Sequence, residues 1–210
     1  MVPPRDFFKV QAGYCNFAGT ATMSGIMDRS YSIEGLAIIS ADGMLADTEG
    51  VMPDALKVEG DQQFFHGSLD RADIVVHGRH SHEGGPNAKN RRRMIVTRRI
   101  NGFGPHPENP NAFLWNPAGA SFETALHAFG GAKGMVAVIG GTDVFGLFLA
   151  VGYDKFHLTR ANDVRLPAGR PVFPGVPARS PEDVLRHHGL KPSVERMLDA
   201  QRGVSLVTWL

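Results

Sequence analysis

Cysteine is almost missing from this 210-residue chain, where Cys15 stands alone. One cysteine cannot close an intramolecular disulfide, so the chain is no disulfide-stapled scaffold and fits a reducing compartment. An excess of either charge is missing too. Twenty-two Lys and Arg stand against 21 Asp and Glu, a formal net charge of +1, which argues against a dedicated nucleic-acid binder. No apolar run approaches the roughly 20 residues of a transmembrane helix. The opening MVPPRDFFKVQ lacks the basic-then-apolar order of a secretory signal. These absences predict a cytoplasmic protein with neither nucleic acid nor membrane as partner.

What is present suits a packed domain. Hydrophobic residues make up 42% of the chain and charged residues 20%, enough for a sizeable core. Residues 1–31 mix Gly, Ser, Thr and Pro with Phe7, Phe8, Tyr14 and Phe17, and read as an extension ahead of a domain over 32–210. Strands are expected at 33–41, 74–77, 93–97, 112–115, 135–139, 155–161 and 203–210. Helices are expected at 61–69, 121–131, 142–151 and 181–190. Continuous apolar runs such as 74-IVVH-77 suit strands covered on both faces. Ser121 is placed to cap its helix, and Gly130-Gly131 to end it. Strands alternating with helices predict an α/β sandwich around one central sheet, with ligands beyond the carboxyl ends of its strands.

The stretch 138-VIGGTDVFGLFL-149 is the most pointed local signal. Two glycines where a strand hands over to a helix make either a tight turn or a place where a phosphate meets backbone N–H groups. Three other patterns sit in order before it: 40-SADGMLAD-47 after the first strand, 61-DQQFF-65, and 78-GRHSHE-83 after another strand. His77, His80 and His82 lack the companion ligands of a known metal spacing, so no metal site is expected.

In combination these patterns resemble the dihydrofolate reductase superfamily, which includes the reductase domain of the riboflavin-biosynthesis deaminase-reductase. The resemblance spans about residues 33–175, with the last strand extending it. It implies a three-layer α/β sandwich with a central, mostly parallel sheet, and NADPH as cofactor. Ile139, Gly140, Gly141, Thr142, Asp143 and Val144 would hold the pyrophosphate. Gly78, Arg79, His80 and Ser81, opening a further helix, would take the adenosine 2′-phosphate. Thr97 and Arg98 would flank the adenine and its ribose phosphate. Backbone groups near Ile38 and Leu45 would meet the nicotinamide carboxamide.

For the substrate, the resemblance implies a flat, nitrogen-rich heterocycle, either a pterin or an aminopyrimidine. Asp61 would anchor and polarise it, Phe65 would pack on its ring, and Arg91 would hold a folate-type carboxylate. The residues alone leave Asp61 open between this role and that of a helix N-cap, and 91-RRR-93 between a binding site and a solvated charged face. Asp54, in 52-MPD-54, stands where the family usually has a tryptophan. The alternatives are a riboflavin-pathway reductase of a ribosylaminopyrimidine and a non-catalytic NADPH-binding protein. A homodimer is the assembly that relatives imply.

Overall fold

The structure is a computed structural model that describes residues 30–81 and 83–210. The extension over 1–29, with Cys15, and His82 lie outside the described residues. Eleven strands and four α-helices follow in order among the described residues: β1 (Ser32–Ser40), β2 (Met44–Ala46), α1 (Glu59–Arg71), β3 (Ala72–Gly78), β4 (Arg93–Val96), β5 (Phe103–Pro105), β6 (Ala112–Trp115), α2 (Phe122–Ala128), β7 (Met135–Val138), α3 (Thr142–Val151), β8 (Lys155–Ala161), β9 (Arg170–Pro171), α4 (Pro181–His187), β10 (Arg196–Asp199) and β11 (Val204–Trp209).

Nine strands form one sheet in the order β10-β11-β8-β1-β7-β3-β4-β6-β5. The run from β8 to β6 is parallel. Antiparallel β11 and β10 close one edge, and β5 closes the other. The expected α/β sandwich with a central, mostly parallel sheet is therefore present. The strand over 74–77 is central, between β7 and β4, which explains its unbroken apolar run.

Register decides which side chains face which layer. Leu36 lies beside His157 and Ile38 beside Thr159 across the β1–β8 pair. Leu36, Val75 and Ala137 pack against Leu69 of α1, with Phe64 and Phe65 alongside. Ile33, Ile39, Ile74, Val76, Val136 and Val138 instead join Phe122 and Leu126 of α2, Phe145 and Phe148 of α3, and Leu185 of α4. One helix thus covers one face and three cover the other, giving three layers.

α2 and α4 begin as their sequences predict. The Ser121 hydroxyl accepts from the Thr124 N–H, and the Ser180 hydroxyl from the Asp183 N–H. α1 does not. It starts at Glu59, two residues before the expected point, with Val58 at the N-cap and no side-chain cap. Val58 and Leu56 are buried with Ile38 and Ala161, so packing of the preceding turn sets the helix start. Asp61 is not an N-cap. A further expectation also fails: no helix opens after Gly78 among the described residues. Residues 79–81 and 83–87 form no helix, and a 3-10 turn follows at Ala88–Asn90; Gly84-Gly85-Pro86 cannot sustain a helix.

Candidate active site

Between α1 and the face of the sheet formed by β1 and β8 lies a cavity of about 160 Å³. α1 contributes Asp61, Gln62, Phe64, Phe65 and His66 to its wall. β1 contributes Leu36, Ala37 and Ile38, β8 contributes His157 and Thr159, and Leu45, Ile139 and Phe145 complete much of the rest. Helical spacing puts Asp61 above Phe65 and Gln62 above His66 on neighbouring stripes of α1.

Asp61 is the unusual group. It is 7% exposed, and no salt bridge to it occurs among the described residues. The hydroxyl of Thr159 donates to its carboxylate. Burial without a cation disfavours the charged form and pushes the carboxyl up to about 6. Below it, His157 lies with Nε2 at 3.0 Å from Glu34 Oε2 and Nδ1 at 3.0 Å from Thr208 Oγ1. The His157 hydrogen bond, with Lys155 and Ser32 assisting, holds the Glu34 carboxyl at about 2. The edge of Phe64 meets the His157 ring at 5.2 Å between centroids.

The sequence reading missed Glu34, His157 and Thr159. The alternation in 155-KFHLTRA-161 shows only that Lys155, His157 and Thr159 share one face; that they meet Glu34 and Asp61 depends on the pairing of β8 with β1.

The glycine pair adjoins this cavity, since Ile139 lines it and Gly140 follows. The Gly140–Gly141 peptide is cis, and Gly140 has φ 106°. A Cβ at Gly140 would stand 2.8 Å from the Phe145 ring. The Gly78 N–H donates to the Gly140 carbonyl at 2.8 Å, which joins the ends of β3 and β7. A Cβ on Gly141 would come within 3.3 Å of Ser81 Oγ, filling the cradle between the two turns.

α3 starts here with Gly141 as N-cap and no side-chain cap, and the first N–H groups of a helix lack intrahelical acceptors. Thr142 Oγ1 donates to the Pro171 carbonyl, so its hydroxyl proton is already committed. The exposed Asp143 carboxylate suits the helix dipole but not a neighbouring phosphate. Anion binding at this turn therefore falls to backbone N–H groups. These features fit a dinucleotide pyrophosphate. Arg79 and His80 are exposed beside the cradle, 2.9 Å apart between Nη2 and Nε2. Thr97, just past β4, is buried, and its hydroxyl accepts from the Arg99 N–H. Arg98 is exposed at the same strand end.

Arg91 is placed elsewhere. It is buried, with ion pairs to Glu83 at 2.7 Å and Asp70 at 2.6 Å, and does not line the cavity. Arg93 binds the other oxygen of Glu83. The run 91-RRR-93 is thus neither a substrate clamp nor a solvated face at these two residues. Arg92 instead donates to the carbonyls of Phe129 and Gly131. Among the described residues no group of three His, Cys, Asp or Glu could hold a metal, and no helix is long and apolar enough to cross a membrane. Asp54 is exposed and pairs with Lys57 at 2.7 Å.

Three solved structures share this architecture. A provisionally assigned riboflavin biosynthesis protein from Shewanella sp. PV-4 is 20% identical, at TM-score 0.60, over 85% of this chain and 97% of its own. Dihydrofolate reductase from Enterococcus faecalis, complexed with NADP(H) and RAB-propyl, is 16% identical at TM-score 0.58, over 85% and 95%. This chain has the dihydrofolate reductase-like fold. A third neighbour, the diaminohydroxyphosphoribosylaminopyrimidine deaminase/5-amino-6-(5-phosphoribosylamino)uracil reductase of Thermotoga maritima, matches at 16% identity and TM-score 0.58, over 85% of this chain and 56% of its own. No protein-family profile and no curated protein matches the sequence. In the dihydrofolate reductase-like frame, Asp61, Phe65, Ile38, Leu45 and Ile139 come together around one cavity, and the Gly140–Thr142 turn opens at its side.

Proposed function

We propose that this protein is an NADPH-dependent reductase acting on a flat, nitrogen-rich heterocycle of the pterin or aminopyrimidine type. One observation carries the reading: a buried carboxylate with no cation sits in a cavity walled by rings, next to a glycine turn shaped for a dinucleotide. A buried carboxylate left unpaired is costly. A ligand with adjacent N–H donors would pair both oxygens of Asp61 and offset that cost. The NADP(H) bound by the Enterococcus faecalis neighbour supports the cofactor assignment by analogy of fold.

The bound cofactor supplies the hydride. The chain's own residues supply position and protons. Asp61, with its carboxyl near 6, holds or gives up a proton near neutral pH at the heterocycle's ring nitrogen. The Thr159 hydroxyl fixes one carboxylate oxygen. Phe65 packs on the ring, and Leu45 and Met52 cover the cavity and limit water. Backbone N–H groups at Gly141–Asp143 take the pyrophosphate, and Arg79 the 2′-phosphate.

The test follows NADPH absorbance with dihydropterins, dihydrofolate and the ribosylaminopyrimidine intermediate in turn, using wild type and Asp61→Asn. Turnover of a heterocycle that falls by roughly 10²–10⁴-fold in Asp61→Asn, with partial recovery at low pH, is the expected result. NADPH binding without turnover of any of them would move the protein to the non-catalytic class.

A further inference from the structure

We propose that Thr142 is a positioning residue: its side chain ties the cover of the cavity to the turn that takes the pyrophosphate, so that a dinucleotide seated there also steadies β2. The inference rests on the proposed reductase function and adds how the cofactor's seat and the substrate's chamber are joined.

The cover is too small to hold itself. β2 and β9 form a separate sheet of two strands, three and two residues long, and an isolated pair of strands is marginal in water. Its place depends on anchors. The Met44 N–H donates to Ser40 Oγ at 3.0 Å, and the Ser40 hydroxyl donates to Asp42 at 2.6 Å. Asp42 accepts in turn from the Leu166 N–H at 3.0 Å. The Gly43 carbonyl accepts from the Val172 N–H at 3.1 Å. These bonds tie β2 to the end of β1 and to the segment around β9, and none of them reaches the cofactor turn. Thr142 does. Its hydroxyl donates to the carbonyl of Pro171, the residue paired with Met44 across the small sheet.

Thr142 therefore serves two sides at once. As the first residue of α3 it lies among the backbone N–H groups assigned to the pyrophosphate, while its side chain is spent on β9. Along β2, Met44 is 4% exposed and packs into the core with Phe145, Val172 and Phe173. Its neighbour Leu45 lines the cavity. Phosphates that order the first turn of α3 thus also order Pro171, β2 and Leu45, through one hydroxyl. Valine has nearly the shape of threonine but cannot donate, whereas serine keeps the donor.

Hydrogen–deuterium exchange tests this with 2′-phospho-ADP-ribose. That probe carries the pyrophosphate and the 2′-phosphate but lacks the nicotinamide, the part assigned to Leu45. In the wild-type protein it is expected to slow exchange by about tenfold or more both at the start of α3 and at Met44–Ala46. In Thr142→Val the slowing at α3 should remain and that at Met44–Ala46 should disappear; Thr142→Ser should restore it. Slowing at Met44–Ala46 that survives Thr142→Val, or wild-type slowing confined to α3, would overturn the coupling alone. No slowing at α3 in the wild-type protein would overturn the cofactor assignment and the coupling with it. Circular dichroism and thermal unfolding of each variant distinguish lost coupling from lost folding.

Discussion

Two buried carboxylates lie on the α1 side of the sheet and are treated in opposite ways. Glu83 accepts from Arg91, Arg93 and the Gly85 N–H, and these partners hold its carboxyl below the ordinary range against the cost of burial. Asp61 has one hydroxyl and no cation, and its carboxyl rises to about 6. The first arrangement is complete and closes a loop onto the sheet. The second is incomplete, and its missing partners are those a substrate would bring. A buried carboxylate without a cation, set in a cavity, marks a place where a ligand belongs.

Breaking the complete arrangement should cost most. Glu83→Gln leaves buried Arg93 without a carboxylate and Arg91 with Asp70 alone, and removing one member of a buried ion pair typically costs about 3–5 kcal/mol. Urea unfolding at pH 7 should show a loss of this order. A loss under 1 kcal/mol would mean that the cluster does not hold the loop.

Asp61→Asn should act with the opposite sign. The native carboxyl holds its proton up to about 6, above the ordinary 3.8 of an aspartate. Wild-type stability attributable to this group therefore falls as pH rises from about 4 to 6, and the full cost is present above 6. At roughly 1.4 kcal/mol per unit, the substitution should stabilise the protein by up to about 3 kcal/mol at pH 7. The gain should vanish below pH 4. Thermal unfolding across pH 3.5–7.5 checks both the sign and the window, and a pH-independent difference would mean that burial does not shift the Asp61 carboxyl.

The cofactor side sharpens the comparison by a smaller amount. Arg79→Ala should weaken NADPH binding by roughly 1.5–3 kcal/mol and leave NADH nearly unchanged, as read by cofactor fluorescence titration. Equal losses for both would remove Arg79 from the 2′-phosphate. Far from either carboxylate, Ser121→Ala should remove one helix cap at about 1 kcal/mol, with cofactor affinity untouched. This control sets the scale for an ordinary structural change.

The central strands were legible because parallel strands buried on both faces leave continuous apolar runs, as in 74-IVVH-77 and 135-MVAVI-139. The edge and cover pieces β2, β5, β9 and β10 were not read as strands. Each is two to four residues long, too short to show a period, and each exists because a neighbour offers it backbone partners. The start of α1 was misread for a related reason. Asp61 looks like a cap, but burial of Leu56 and Val58 starts the helix earlier and turns Asp61 inward.

The glycine turn, Asp61 and Phe65 could be named from the chain alone. Glu34, His157 and Thr159 could not, because their meeting depends on the β1–β8–β11 register. Glu83 was equally hidden. Its partners lie eight and ten residues on, across a loop whose path only the folded protein shows.

The contact between Gly85 and His66 sets which substitutions this loop accepts. A Cβ at position 85 would stand 2.6 Å from His66 Nδ1, so a residue larger than glycine at 85 requires the His66 ring to turn or residue 66 to become smaller. The constraint runs one way: residue 66 can shrink without a change at 85, but residue 85 cannot grow while the His66 ring keeps its place.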